Sequence, residues 1–453
     1  MLYFSHHHHK MTHINYTNNQ KLQVEFTKEN LVEDSGMFLI KKFLEKQDFE
    51  HISKESVPIL GLWKWQKTYS NYDKFIQEIF MCMTWNRSTT NIKHMKENEM
   101  YNFLFDEWLA EKTTINDFQN SFWIKESFEL SQLTVWLIKQ NPNFLFSQNW
   151  MIILDSDAVD IETHWKQEWS KWHWYYRQTM YYPDVVTIFD WLLPLIWRLR
   201  AWNCHWWNGD LELLHEALTS LEQLDCFDWS KVLLRWDSAF WNEKKFSYAE
   251  NNNAKYHVRI ASNPRLKDIC EKCDINIFKN EDDIFVVKYK ADSWSKERFV
   301  IVNIVKSYDE LFPKVQFFCT NLYTEKDEKL NIKRKQNKLK RLVELYHKRW
   351  VSEHPFHDLK ESFQSWKTSN HDFYSNSYRF QVSLISMQIY ILFREIYLKD
   401  DKTFKRAYYK TIFTWILSLT WKLVRHAKKI ILKIPEYSRK SRCFIWILRQ
   451  LEA

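Results

Sequence analysis

Met151-Ile152-Ile153-Leu154-Asp155-Ser156-Asp157 is an apolar run ending in two acids, the pattern of a buried strand that leaves the core and opens into a site. A second such run, Val232-Leu233-Leu234, leads to Asp237, and between the two Leu211 to Leu224 carries apolar residues at helical spacing. Strand, helix and strand in that order mark an α/β core. Residues two apart on a strand share a face, so Asp155 and Asp157 point the same way and either suits a site at the strand end. Asp157 is the nearer to that end.

Outward from this core the periodicity changes twice. After Asp237, strand-like pieces at Tyr256 to Ile260, Ile284 to Tyr289, Phe299 to Val305 and Val315 to Cys319 predict a β-rich insertion over about 256–320. From Leu339 onward helical spacing returns, and 367–453 reads as a helical, basic C-terminal region. On the other side, Phe75, Ile76, Ile79, Phe80 and Met83 typify a segment, 31–145, whose apolar residues recur every three or four positions. Its position makes it the candidate DNA-binding region. Residues 1–30 are polar and Asn/Thr-rich, an arm with one short strand expected at Leu22 to Phe26. No internal repeat is present.

The chain has 453 residues, with 65 Lys+Arg against 57 Asp+Glu and a net charge of +8, a balance that favours a polyanionic partner. The basic residues gather in two runs, Lys333, Arg334, Lys335, Lys338, Lys340, Arg341 and Lys422, Arg425, Lys428, Lys429, Lys433, Arg439, Lys440, Arg442. These are generic phosphate-binding surfaces. Seven scattered cysteines imply no disulfide framework and a reducing compartment such as bacterial cytoplasm. Cys270 and Cys273 form a lone C-x-x-C with no second pair to complete a zinc site. The start of the chain lacks the zones of a signal peptide, and its histidine run is tag-like. The most apolar stretches, Val185 to Leu199 and Phe380 to Leu398, are interrupted by Asp190, Pro194 and Arg394, so they read as buried core and no membrane is expected.

Glycine and tryptophan counts are anomalous. The chain has 3 glycines and 25 tryptophans, 28 together, where usage of ~7% predicts about 32 glycines alone. Tryptophans stand where turns want glycine, as in Ala201-Trp202-Asn203 and Arg235-Trp236-Asp237-Ser238. Most of these positions are therefore expected to be glycine in the natural protein, for example through UGA codons that mean glycine being translated as tryptophan.

The stretch Leu345 to Phe363 carries the chemistry. Tyr346, Arg349, Glu353 and Lys360 follow one another at 3, 4 and 7 residues, which on a continuous helix places all four on one face. A carboxylate beside two cations and a phenol suits phosphate chemistry. A solvated face with an i, i+4 Arg–Glu pair accounts for the spacing equally well. Pro355 sits just after Glu353 and can bend such a helix.

This Y-x2-R-x3-E-x6-K pattern resembles the signature around the last catalytic acid of bacterial insertion-sequence DDE transposases. Leu154-Asp155-Ser156-Asp157, with Thr163-His164 and Gln167-Glu168, is similar to the first acidic motif of one subgroup. Leu234-Arg235-Trp236-Asp237-Ser238-Ala239-Phe240 is similar to its second. Thr320-Asn321-Leu322 and Asn376 also match, so the likeness runs from about Trp150 to Ile431. Departures fall at tryptophans, namely 165, 169, 197, 202, 236 and 350, where the subgroup tends to have glycine.

The resemblance implies an α/β fold with an RNase H-like catalytic core over 146–366, carrying the β-rich insertion and flanked by helical N- and C-terminal regions. It implies that Asp157, Asp237 and Glu353 are the catalytic acids and hold two Mg²⁺ ions, which Mn²⁺ can replace, with Asp155 as the alternative first acid. Tyr346, Arg349, Lys360 and Arg235 would be DNA-binding residues. His164, His205, His354 and His357 lie near the motifs, but hard Mg²⁺ prefers oxygen, which leaves them structural or DNA-contacting. The implied function is cleavage of double-stranded DNA at terminal inverted repeats and transfer of the freed strand to a target. By analogy it passes through hairpinned ends and acts as a homodimer on paired ends, at the nucleoid of a bacterial cytoplasm. The alternative readings are a catalytically inactive DNA-binding relic or domesticated relative, and a related nuclease or integrase-like enzyme that needs no paired ends.

Overall fold

The computed structural model describes residues 12–15, 21–24, 31–62, 69–106, 109–147, 150–164, 166–174, 176–200, 210–237, 242–272, 283–305, 314–349, 356–426, 429–436 and 438–452. Its centre is an eight-stranded mixed sheet. The strands are β1 (Ile152–Ala158), β2 (Asp184–Ile188), β3 (Leu193–Arg198), β4 (Val232–Trp236), β5 (Lys255–Ile260), β6 (Asp283–Tyr289), β7 (Arg298–Val305) and β8 (Lys314–Thr320). They lie in the order β6-β7-β8-β5-β4-β1-β2-β3. β1, β4 and β5 are mutually parallel neighbours, and every other pairing is antiparallel. The two parallel steps need crossovers, supplied by α3 (Asp210–Leu221) ahead of β4 and α4 (Glu243–Asn251) ahead of β5. The strands expected as an insertion do not form a sheet of their own. β6, β7 and β8 extend the central sheet beyond β5, because β8 pairs with β5 from His257↔Thr320 to Ile260↔Phe317.

The two sheet faces are told apart by strand alternation. Ile152, Leu154, Val232, Leu234 and Trp236 join the main hydrophobic core. Ile153 and Leu233 turn the other way, with Phe189 and Leu345. On that second face lies α5 (Ile332–His347), which seats Leu339, Leu342, Val343 and Tyr346 on Ile284, Ile301 and Phe318.

The main core is shared with the helical layer. α6 (Phe373–Tyr397) packs on both α1 (Asn71–Met83) and α2 (Ile124–Gln140), and α2 and α6 pack against β3. α6 is buried along nearly its whole length, its polar side chains, such as Asn376, Arg379 and Gln388, included. One side chain ties α6 to α2 and β3: Gln388 Nε2 donates to Thr134 O and Pro194 O, each at 3.1 Å.

The C-terminal region is not helical throughout. Trp421–His426 and Lys429–Lys433 form an antiparallel hairpin, and Leu31–Val32 adds a third strand, with Trp421↔Val32 in register. Trp421 and Leu423 are buried while Lys422 and Val424 are only partly so, a period of two that the helical reading passed over. Helix α7 (Arg439–Glu452) follows. The arm strand forms at Lys21–Val24, paired with Thr12–Asn15. Three non-glycine positive-φ residues are tryptophans, Trp85, Trp150 and Trp169, each with φ of 58°. That region suits glycine and is rare for bulky residues. By contrast, Trp197 and Trp236 are fully buried and packed.

Candidate active site

β1 and β4 run parallel with Arg235 opposite Asp155, so their ends emerge together. Counting by twos, Asp155 and Asp157 on β1, and Arg235 with the residue just past β4, Asp237, belong to the face covered by α5. Asp155 is wholly buried and receives a bidentate guanidinium, from Arg235 Nε to Oδ1 at 2.7 Å and from Nη2 to Oδ2 at 2.6 Å. Such fork geometry locks both carboxylate oxygens.

Asp157 stands one pleat nearer the strand end and is 31% exposed. Arg349 Nη2 donates to its Oδ2 at 2.8 Å and to the Ser156 carbonyl at 3.3 Å. Its Oδ1 accepts the Ala158 N–H at 3.0 Å. Burial raises the Asp157 pKa, Arg349 and the Ala158 amide oppose the rise, and the neighbouring charges of Asp237 and Asp155 add to it. Asp237 is itself partly buried.

Tyr346 is buried against Phe318 and His257, and its hydroxyl donates to the Trp236 carbonyl at 3.3 Å. Burial pushes its phenol pKa up. It therefore anchors the end of α5 beside Asp237 and presents little surface to a ligand. His257 is wholly buried, with its pKa lowered by that burial to about 4, and its Nε2 lies 2.8 Å from the Leu342 carbonyl. As a neutral ring it donates there, and it is structural.

The continuous helix expected from Tyr346 to Lys360 is not formed. α5 ends at His347, and Lys360 lies in a separate π-helical turn, Asp358–Ser362. Lys360 still comes back to the acids: its Nζ is 2.6 Å from Asp160 Oδ1, just beyond β1. Gln178 Nε2 holds the other oxygen of Asp160 at 3.0 Å. Asp160 was missed in the sequence because it has no regular spacing to Lys360. Glu353 lies outside the described residues, as do His205, His354, Cys273 and the tryptophans at 165, 202 and 350. The His357 ring packs at a tilt against Tyr408.

Arg235, expected to reach DNA, has no exposed surface. Its Nη1 donates to Leu345 O at 2.5 Å and its guanidinium covers the Phe189 ring at 4.0 Å. A phosphate has no access to it, so the expected DNA contact is withdrawn. Other motif residues also serve the scaffold. Gln167 Nε2 donates to the Thr368 and Asn370 carbonyls at 2.5 and 2.7 Å, Glu168 accepts the Phe373 N–H at 3.1 Å, and Asn376 Nδ2 donates to Asn370 O at 2.7 Å. Together they fix the start of α6. Asn321 bridges Ala254 and Tyr256 at the start of β5.

Along α5, Arg334, Lys338, Arg341 and Lys348 border a groove of about 680 Å³. Lys338 pairs with Asp327 at 2.6 Å. Among the described residues no three His, Cys, Asp or Glu side chains gather as a metal site, and no helix is long and apolar enough to cross a membrane.

Of solved structures, a piggyBac transposase synaptic complex with hairpin DNA is similar to this chain with a TM-score of 0.44 and 10% identity, covering 92% of this chain and 82% of that one. No curated protein sequence matches. The family model of the transposase DDE domain, group 1, matches residues 14–453. By that match over nearly its entire length, the chain belongs to the DDE-domain transposases of group 1.

Proposed function

We propose that this transposase cuts double-stranded DNA at the terminal inverted repeats of an insertion sequence and transfers the freed strand, with Asp157, Asp237 and Glu353 as its catalytic acids. The observation that carries the reading is the convergence of Asp157 and Asp237 at the ends of two parallel neighbouring strands, with Arg349 on Asp157. The mixed sheet with its helical crossovers supports an RNase H-like core. Asp157 is favoured over Asp155 as the first acid, since both oxygens of Asp155 are held by Arg235.

The donor set fits Mg²⁺ or Mn²⁺: two carboxylates, all oxygen, at the ends of neighbouring parallel strands. Glu353 would be the third. Two divalent ions held there supply an activated attacking oxygen and charge stabilisation for the leaving one. Arg349 neutralises Asp157 while the acids are bare and, released from it, is placed to bind the phosphate being cut. Lys360, poised on Asp160, takes the phosphate next along the strand. Tyr346 keeps the end of α5 against the Trp236 carbonyl and so sets where Arg349 stands. The basic groove on α5 carries the flanking backbone. A homodimer on paired ends, at the nucleoid of a bacterial cell, is part of the same proposal.

The test is cleavage of labelled DNA bearing the repeats that flank the gene, with Mg²⁺ or Mn²⁺, for the parent protein and Asp237→Asn. Cutting at the repeat ends that the variant loses, with DNA binding retained, supports the proposal. Binding without cutting by the parent, in its glycine-restored form as well, identifies a DNA-binding relic.

A further inference from the structure

Three elements bring acids or cations to the site: β1 with Asp157, β4 with Asp237, and the end of α5 with Arg349. One guanidinium touches all three. Arg235 lies opposite Asp155 in the register of β1 and β4, bonds both Asp155 oxygens, and donates its remaining arm to the Leu345 carbonyl near the end of α5. Asp155 precedes Asp157 by two residues, Arg235 precedes Asp237 by two, and Leu345 precedes Arg349 by four. The pair therefore sits one pleat, roughly 6–7 Å, beneath the two acids and on their side of the sheet. Phe189 closes the guanidinium from solvent at 4.0 Å.

We infer that Arg235 is a positioning residue that acts through Asp155 and Leu345 to fix the separation of Asp157 and Asp237 and the reach of Arg349. This rests on the reading of Asp157 and Asp237 as the metal-holding acids. A lysine at 235 would supply charge without the fork that spans both oxygens and the carbonyl. A shift of one pleat's width or less between β1 and β4 passes straight to the acids, because nothing but two residues of strand separates them from the pair.

The test separates positioning from stability and from DNA contact. Replacing a buried ion pair by apolar residues of similar volume is often neutral or stabilising. Asp155→Leu/Arg235→Met is therefore expected to fold with a Tm close to the parent. Mn²⁺ affinity of the DNA-free protein, followed by calorimetry or electron spin resonance, is expected to fall about 10-fold or more, the scale of lost outer-shell support. The salt dependence of DNA binding is expected to be unchanged, whereas a lost phosphate contact would lower its slope by about one. Parental Mn²⁺ affinity in the folded double variant overturns the inference. If the double variant does not fold, Asp155→Asn, which keeps the shape and one acceptor, decides on the same affinity measurement. Asp237→Asn is the control: if the parent binds no more Mn²⁺ than this variant, the reading of the acids fails, not the positioning of Arg235.

Discussion

Glu78 is a carboxyl wholly inside the helical layer, where Gln119 Nε2 reaches it at 2.6 Å and the Tyr378 hydroxyl at 2.9 Å. Burial pushes it from 4.5 to about 7, against the pull of those donors and of Arg379 and Arg87. The folded chain therefore keeps a proton that the unfolded chain has lost between those two values, and stability falls as pH rises through that window. The full loss, reached above about pH 7, is on the order of 3 kcal/mol at ~1.4 kcal/mol per unit. Glu78→Gln is expected to flatten the dependence, so that its Tm relative to the parent climbs from about pH 5 to pH 8; parallel profiles would sink the assignment. Gly36 gives a sharper case. A Cβ there would lie 1.9 Å from the Ile416 carbonyl, so Gly36→Ala is expected to cost at least ~1–3 kcal/mol by chemical denaturation. At Trp150 the expectation has the opposite sign. Its φ is 58° and it is 71% exposed, so Trp150→Gly relieves ~1–2 kcal/mol of left-handed strain against ~0.5–1 of chain entropy. Mass spectrometry of the native peptide spanning it is expected to show glycine, and tryptophan there would refute the recoding idea for this position. Residue roles were only partly legible in the sequence. The pleat put Asp155 and Asp157 on one face but did not tell them apart; what does so is the arginine across the register, a long-range partner that no local spacing encodes.

At the scale of elements, the four strand-like pieces after Asp237 and the helix before β4 were legible because their alternation is strong and their loops polar. That β6, β7 and β8 continue the central sheet was not, since pairing partners are fixed by register between distant segments. Nor was the break after His347, which falls well ahead of the bend that Pro355 suggested. The basic run on α5 was visible as composition, and the fold sorts it: Lys335 and Lys338 answer Glu328 and Asp327, while Arg341 and Lys348 border the groove. Arg341→Ala and Lys348→Ala are each expected to lower the slope of log DNA affinity against log salt by about one, for any DNA sequence. Slopes equal to the parent's would remove this helix from the DNA path.

For the whole molecule, a separate N-terminal region was the natural reading of a helical segment followed by strands. In the fold, α1 and α2 share their core with α6 and β3, and Arg87 on one side donates to the Phe363 carbonyl at 2.8 Å on the other. Residues 31–147 expressed alone are therefore expected to show no cooperative unfolding, because α1 and α2 would expose the surface that α6 covers. A fragment with a sharp thermal transition would restore the two-part view.

The strand Leu31–Val32 and the hairpin from Trp421 close one small sheet, and Lys46 Nζ donates to the Gln450 carbonyl at 3.0 Å across 404 residues of sequence. Translation reaches these partners at very different times. The early helices leave the ribosome without their cover and wait for it, as chains rich in distant contacts do. A message broken or stalled before residue 416 thus yields a chain that chaperones and proteases can seize, not a shortened DNA-binding competitor. For this transposase, folding of the early helices is thereby tied to the arrival of α6 and the hairpin.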